Sequence, residues 1–414
     1  MRRRFRQYIK RTGTGLLAML LISGCSQEKE LSSVETTELR VVYSSGDANW
    51  KFCLETVSEQ FMEENPGIRV ELYTPGNQEN RLYSDQLKIL YAEDQFYDVL
   101  ELREPQKIAD AGLLADMPGE VTELIDPQMT GGGKGKYIPI YQMNRGIICN
   151  MDIFESLGLS APETYEDFLV CCETIKEAGY TPIVIGGADL WHMEFWGNYL
   201  FENFMLEENQ EIVWTKERAE EMLRSFRSLS EEGYVEEGYR ELSDNETVQE
   251  IAAGNAVMLH TGAWMLPQIR GMNPEMGLGF FFLAGSGGTT YAVQDLSNCW
   301  GISGDCQSDP DKYGAASKFL EFFYSEGVYE NVLGTMSAMS VTQRETETAE
   351  SYADVLVDRA YEKDVTVTNK IVSNLDTPDG FRNSFNQILR ETLWGTTSIE
   401  ILAAELTADW EAEK

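Results

Sequence analysis

An indole set at the end of a buried strand can stack on the apolar face of a ring-shaped ligand, and Trp264 occupies such a position. The stretch Ile251-Ala-Ala-Gly-Asn-Ala-Val-Met-Leu-His-Thr-Gly-Ala-Trp264 reads as the end of a helix and a tight turn at Gly254 and Asn255. A short buried strand from Ala256 to Leu259 follows, then a glycine break at Gly262 and a helix start carrying Trp264. Open α/β sheets bind ligands just past their strand ends; packing in the core is the competing role for a single indole. Carboxylates offer a second chemistry. Asp47 with Glu104, or Glu194 with Asp295, would form a glycoside-cleaving pair if they lay about 5–10 Å apart, but among 69 acidic residues chance pairs abound. The sequence holds no G-x-S-x-G and no Cys–His signature at a recognisable spacing. With two histidines, His192 and His260, and no C-x-x-C or H-E-x-x-H, it supports neither a metal site nor a cofactor. Gly131-Gly-Gly-Lys-Gly-Lys136 departs from a phosphate-binding loop in spacing and lacks the hydroxyl.

The elements that must position these residues follow from hydrophobic period. Leu39 to Tyr43 is a strand; Trp50, Leu54, Val57 and Phe61 recur at helical spacing until Asn65-Pro-Gly67, and Ile68, Val70 and Leu72 alternate as the next strand. This βαβ unit implies a parallel sheet. A helix near Leu82 to Tyr91 leads to a third strand, Tyr97 to Leu102. Extended segments at 137–141 and 146–150 precede a helix opened by a capping box of Thr164 and Asp167. Trp191, Phe195 and Tyr199 share a helical face beyond Gly186-Gly187, and a helix starts at Thr215. Strands at 277–283 and 297–303 flank a glycine-rich return, and the last helix, capped by Ser398, carries Leu402, Leu406 and Trp410. At 414 residues the chain is long enough for two domains.

The first residues form a separate unit. Arg2, Arg3, Arg4, Arg6, Lys10 and Arg11 precede the apolar run Leu16 to Ile22, too short to span a bilayer and followed by Ser23-Gly24-Cys25. That is an export signal. Leu21-Ile-Ser-Gly-Cys25 resembles a bacterial lipobox, which makes Cys25 the lipidated first residue of the mature chain; a plain secretory signal is the alternative. The formal charge is −36, a surface that repels nucleic acid and anionic lipid and disfavours anionic ligands. The six remaining cysteines are expected as buried thiols, with Cys299 and Cys306 the pair most worth examining for a disulfide.

Several stretches together resemble family 1 extracellular solute-binding proteins, the sugar receptors of ABC importers. The stretch ending in Trp264 follows their F-x-x-G-x-A-A-M-x-x-x-G-x-W pattern, and Asn65-Pro-Gly67, Asp98 and Gly112-Leu-Leu-Ala-Asp116 look like their first lobe. Tyr137-Ile-Pro-Ile-Tyr141 and Pro162-Glu-Thr-Tyr-Glu-Asp-Phe168 continue the likeness, with Cys149-Asn150 where Tyr-Asn is usual, and Trp394 to Leu402 resembles their C-terminus. The resemblance implies an α/β, periplasmic-binding-protein-like fold of two lobes, each a mainly parallel sheet flanked by helices, joined by a hinge of crossover segments. It divides the chain into a signal peptide at 1–24, a tether at 25–38, lobe 1 at 39–136 plus 288–326, and lobe 2 at 137–287 plus 327–414. Carried over position by position, it implies Ser44, Ser45 and Asp47 after the first strand and Arg103 and Glu104 after the third as ligand-binding residues. Trp191, Glu194, Trp264, Asn298, Trp300 and Phe385 complete that set, and four aromatics suggest more than one stacked ring. The function so implied is capture of a mono- or oligosaccharide and delivery to permease subunits, by a monomer held at the outer face of the bacterial cytoplasmic membrane by its lipid alone. A carboxylate-pair glycoside-processing enzyme and a receptor for a cationic solute such as a polyamine are the alternatives.

Overall fold

The computed structural model describes residues 36–44, 47–75, 83–93, 95, 97–127, 129, 135–207, 209, 211–285, 288–296, 298–344, 352–368 and 380–412. The export signal, the lipobox cysteine and most of the tether therefore lie outside the described residues, as does most of the glycine-rich loop at 131–136.

Eleven strands among these residues form two sheets: β1 (Thr37–Val42), β2 (Ile68–Tyr73), β3 (Val99–Leu102), β4 (Tyr137–Pro139), β5 (Met143–Asn150), β6 (Thr181–Val184), β7 (Ala256–Gly262), β8 (Leu278–Phe281), β9 (Tyr291–Asp295), β10 (Cys299–Ile302) and β11 (Thr366–Thr368). The first sheet runs β2-β1-β3-β10-β4, parallel through β1, β2 and β3 and antiparallel at β10. Strict alternation gives it two apolar faces. Leu39, Val41, Val99, Trp300 and Ile302 pack beneath the helices Ala48–Glu64 and Pro310–Phe323, while Val42, Leu100, Leu102 and Cys299 face Leu87 and Ile108. The second sheet runs β11-β9-β5-β7-β6, with β8 also pairing β5. This sheet is mixed: β5, entering from the first lobe, is antiparallel to β7, β8 and β9, whereas β6 with β7 and β11 with β9 are parallel. The architecture is thus two α/β lobes, each with its own core.

The chain passes between lobes from β4 to β5, from β9 to β10, and again beyond the helix Val328–Met336, where Gln142 and Met339 bridge the crossing segments. The lobe boundaries differ from those drawn above. Strand β4 completes the first sheet and Val328–Met336 packs on Ala48–Glu64, whereas β9 belongs to the second sheet. A short apolar strand carries no mark of which sheet it will join; long-range pairing alone decides that. Strand β7 also runs past Leu259 to Gly262, because His260 and Thr261 pair with Ile147 and Gly146 inside a sheet buried on both faces. The capping box is formed, with Thr164 and Asp167 exchanging hydrogen bonds of 3.0 and 3.2 Å. Ser398 stands at the start of the last helix but makes no side-chain cap bond. The cysteines at 53, 149, 171, 172, 299 and 306 are free and buried. Among the described residues no helix is long and apolar enough to cross a membrane.

Candidate binding cleft

On the first lobe the polar groups are organised by Glu101, fully buried in β3 on the face that carries Trp50. Its carboxylate accepts the backbone N–H of Ser44 at 2.9 Å, the Ser44 hydroxyl at 2.9 Å and the Trp50 indole N–H at 2.8 Å, and pairs with Arg103 at 2.9 Å. Arg103 also donates to the Ser44 hydroxyl at 2.8 Å and to the Asn298 side-chain oxygen, and the Asn298 amide donates to the Tyr141 hydroxyl at 2.9 Å. Three strand ends, those of β1, β3 and β10, are tied together in this way. Asp47 caps the helix Ala48–Glu64 by accepting from the N–H groups of Asn49 and Trp50 at 2.8 and 3.1 Å.

On the second lobe the backbone turns sharply at Gly186-Gly187, where a Cβ on Gly187 would collide with the backbone of Arg240. Just beyond it Trp191, 37% exposed, meets Phe195 edge-on at 5.7 Å, and Phe195 lies 5.7 Å from Trp264. Trp264 folds back over Gly262, whose missing Cβ leaves room for the indole, and it packs against the cores of both lobes. The spacing Gly-x-Trp thus has a steric reason. Beneath these rings the guanidinium of Arg145 lies 5.1 Å from the Phe195 centroid and pairs with Asp295 and, at 3.7 Å, with Glu194. Arg382 donates to Glu194 at 2.6 Å and reaches Glu104 of the other lobe at 3.6 Å.

The structure therefore brings together Ser44, Arg103 and Asn298 on one side and Trp191, Glu194 and Trp264 on the other, with Asp47 and Glu104 at helix starts facing them. Ser45 lies outside the described residues. Trp300 and Phe385 are corrected: both are 0% exposed. Trp300 sits against Trp50 and Phe323 at 5.9 and 5.5 Å in the first core, and Phe385 stacks on Phe381 at 5.8 Å in the second. An aromatic in a strand centre or on an amphipathic face packs inward, and no ring is left there for a ligand. Glu101, Arg145 and Arg382 were not anticipated. A lone acid within Val99-Leu-Glu-Leu102 and a lone base within β5 were the available signals; Arg382, one polar residue among many on its helix, had none.

Burial sets the charge of several groups. Glu202, buried in the second core, is pushed well above the carboxylate range by desolvation, against the opposing pull of Arg145. Desolvation holds His192 neutral down to about 4, opposed by its bond to the Gly186 backbone, and His260 down to about 3, helped by Arg145 and His192. Asp244, 3.5 Å from His192, is pushed up to about 7 by burial and then by Asp189 and Asp47. The folded state thus keeps a proton on Asp244 that the unfolded chain gives up near the ordinary carboxylate value. Its contribution to stability is complete below pH 4 and is lost as pH rises through 7. Asp244→Asn is expected to gain on the wild type between pH 5 and pH 7 by up to about 1.4 kcal/mol per pH unit. Urea unfolding at pH 5, 6 and 7 measures this, and a difference that does not change with pH would contradict it.

Two lobes with separate cores, joined by three crossings among the described residues and turning polar and aromatic strand ends toward each other, define a substrate-binding protein of the two-lobe periplasmic type. The chain belongs to the bacterial extracellular solute-binding protein family, whose profile matches residues 54–330, and membership implies an exported protein. It is 23% identical over 312 residues to the multiple sugar-binding protein of Streptococcus mutans, spanning 68% of this chain and 71% of that one. Over 174 residues it is 26% identical to the melibiose/raffinose/stachyose-binding protein MelE of Bacillus subtilis, 41% of this chain and 40% of that one. Among solved structures, a sugar transporter of Bacillus licheniformis in complex with stachyose superposes with a TM-score of 0.77 at 18% identity, covering 90% of this chain and 99% of that one. A chitin oligosaccharide binding protein superposes with a TM-score of 0.78 at 21% identity, covering 90% and 97%.

Proposed function

We propose that this chain is the receptor of an ABC importer that captures an uncharged oligosaccharide between its lobes and hands it unchanged to a permease. The observation that carries the reading is the pair of partly exposed indoles Trp191 and Trp264, each 5.7 Å from the buried Phe195 ring that holds them, beside charged groups that neutralise one another. Rings of this kind stack on the apolar faces of sugars, and the hydroxyls and amides of Ser44 and Asn298 suit sugar hydroxyls. Arg103 is matched by Glu101, Arg145 by Asp295, and Arg382 by Glu194 and Glu104. That pairing favours a neutral ligand over a polyamine. The relatives named for melibiose, raffinose, stachyose and chitin oligosaccharides point the same way.

The carboxylates also suit binding better than cleavage. A glycosidase acid needs a raised pKa; burial does push Glu104 up, but Arg382, Lys107 and the Ser84 hydroxyl outweigh it and hold the group below its ordinary value. Export by the signal at 1–24, lipidation at Cys25 and a lobe hinge at the three crossings belong to the same reading, with contacts from both lobes favouring the closed form. Calorimetric titration and thermal unfolding of the purified chain with raffinose, stachyose, maltotriose, chitotriose and spermidine test it. One sugar class is expected to raise stability by about 2.7 kcal/mol at a hundred times its dissociation constant and to be recovered intact. Binding of spermidine alone, or recovery of a cleaved sugar, would overturn it.

A further inference from the structure

Met339 stands on the third crossing between the lobes, apart from the cleft residues described above. It is 41% exposed, and among the described residues only Met272, at 53%, is a more open methionine. The Met339 backbone is bound twice to the first crossing: the Gln142 N–H donates to the Met339 carbonyl at 3.0 Å, and the Met339 N–H to the Gln142 carbonyl at 2.8 Å. Its sulfur meets two side-chain amides. Asn144 Nδ2 donates to it at 3.1 Å and Gln142 Nε2 at 3.6 Å, and among the described residues the thioether is the sole acceptor of either amide nitrogen. Both donors are 1% exposed, and they lie two residues apart at the start of β5, on one side of extended backbone. The Tyr361 hydroxyl donates to Asn144 Oδ1 at 2.6 Å, which turns the amide nitrogen toward the sulfur.

A thioether is a weak acceptor, and a buried amide N–H with nothing better is poorly satisfied. An oxygen on the sulfur supplies what both amides lack. We propose that Met339 is an oxidation site built into the lobe crossing: a peroxide converts its thioether to a sulfoxide, and Asn144 and Gln142 hold the new oxygen. In that step a sulfur lone pair attacks one peroxide oxygen, so that the S–O bond forms as the O–O bond breaks. The sulfur loses two electrons, and the second peroxide oxygen leaves as water with both protons. Exposure admits the oxidant, and the long contact to Gln142 leaves a lone pair open to it. Sulfoxide formation commonly disrupts a packed site, because a polar group replaces an apolar one. Here the polar partners are already in place. The oxygen therefore ties the third crossing to the first through side chains as well as backbone. Met272, at the end of the helix Met265–Met272, makes no such hydrogen bond among the described residues and serves as the contrast.

Treatment of the folded, purified chain with hydrogen peroxide, followed by peptide mass spectrometry and urea unfolding, tests it. Met339 is expected to take up one oxygen alongside Met272, at a dose that leaves the buried methionines intact. With Met272→Leu removing the second exposed sulfur, the treated chain should unfold with an equilibrium constant about tenfold lower than before treatment, the factor carried by about one net hydrogen bond. Adding Met339→Leu should abolish that gain, which assigns it to this sulfur. In Gln142→Leu the gain should fall to about threefold, as one of the two donors is lost. Tyr361→Phe keeps both amides but releases Asn144, so it should also reduce the gain and reads the cradle even if Gln142→Leu fails to fold. Met339 left unoxidised once Met272 is fully converted would overturn the proposal, as would a treated chain no more stable than the untreated one, or a gain undiminished in Tyr361→Phe. No sugar enters either measurement, so failure here is distinct from failure of the functional reading.

Discussion

Trp264→Ala is expected to weaken binding of the captured sugar by about a hundredfold, in line with the roughly 2–4 kcal/mol lost when a buried aromatic anchor at an interface centre is truncated. The indole meets both cores and completes the row that begins at Trp191 and passes through Phe195. Its removal takes away a stacking face and part of the surface on which the lobes meet, so contacts made only in the closed form are lost as well. Trp264→Phe keeps a ring on the same backbone and should lose no more than about tenfold, since the missing area is that of the second ring. Titration calorimetry of both variants with the sugar that binds wild type measures this. An alanine variant that binds within threefold of wild type would show that the indole is structural and that the sugar contacts lie elsewhere.

Glu101→Ala should have the largest effect on stability, about 3–5 kcal/mol, the range found when one partner of a buried charge pair is removed. The loss leaves Arg103 without its ion-pair partner and the buried Trp50 indole N–H without an acceptor, and it frees Ser44 at the end of β1. Glu101→Gln keeps an acceptor for Trp50 but not the charge that balances Arg103, and should fall between. Urea unfolding followed by tryptophan fluorescence gives the difference directly. The same variants should bind sugar at least tenfold more weakly if Arg103 and Ser44 are held in place for the ligand; the anticipated loss is the factor of ten that accompanies about 1.4 kcal/mol. A cost below about 1 kcal/mol, near that of an ordinary hydrogen bond, would show that the carboxylate is replaceable by water.

Local patterns carried much of this protein. The apolar alternation of β1 and β2 about a helix required a parallel start to the first sheet, and Thr164 with Asp167 marked a helix start before any fold was known, because capping and periodicity are satisfied within a few residues. The stretch ending in Trp264 likewise placed an indole at a strand end through a glycine that leaves room for it. Other features depend on groups far apart in the chain. Whether Trp300 would face a ligand or a core turned on Trp50 and Phe323, over two hundred and over twenty residues away, and tertiary packing buried it. The sheet that each short strand joined was decided by pairing across the lobes. The charge of the cleft was likewise invisible in composition, since an excess of acids says nothing about which of them meet Arg103, Arg145 and Arg382. Burial makes each such meeting decisive, because a charge removed from water must find its counterpart within a few ångströms, and only the folded chain brings Arg382 to Glu194 and Glu104 at once.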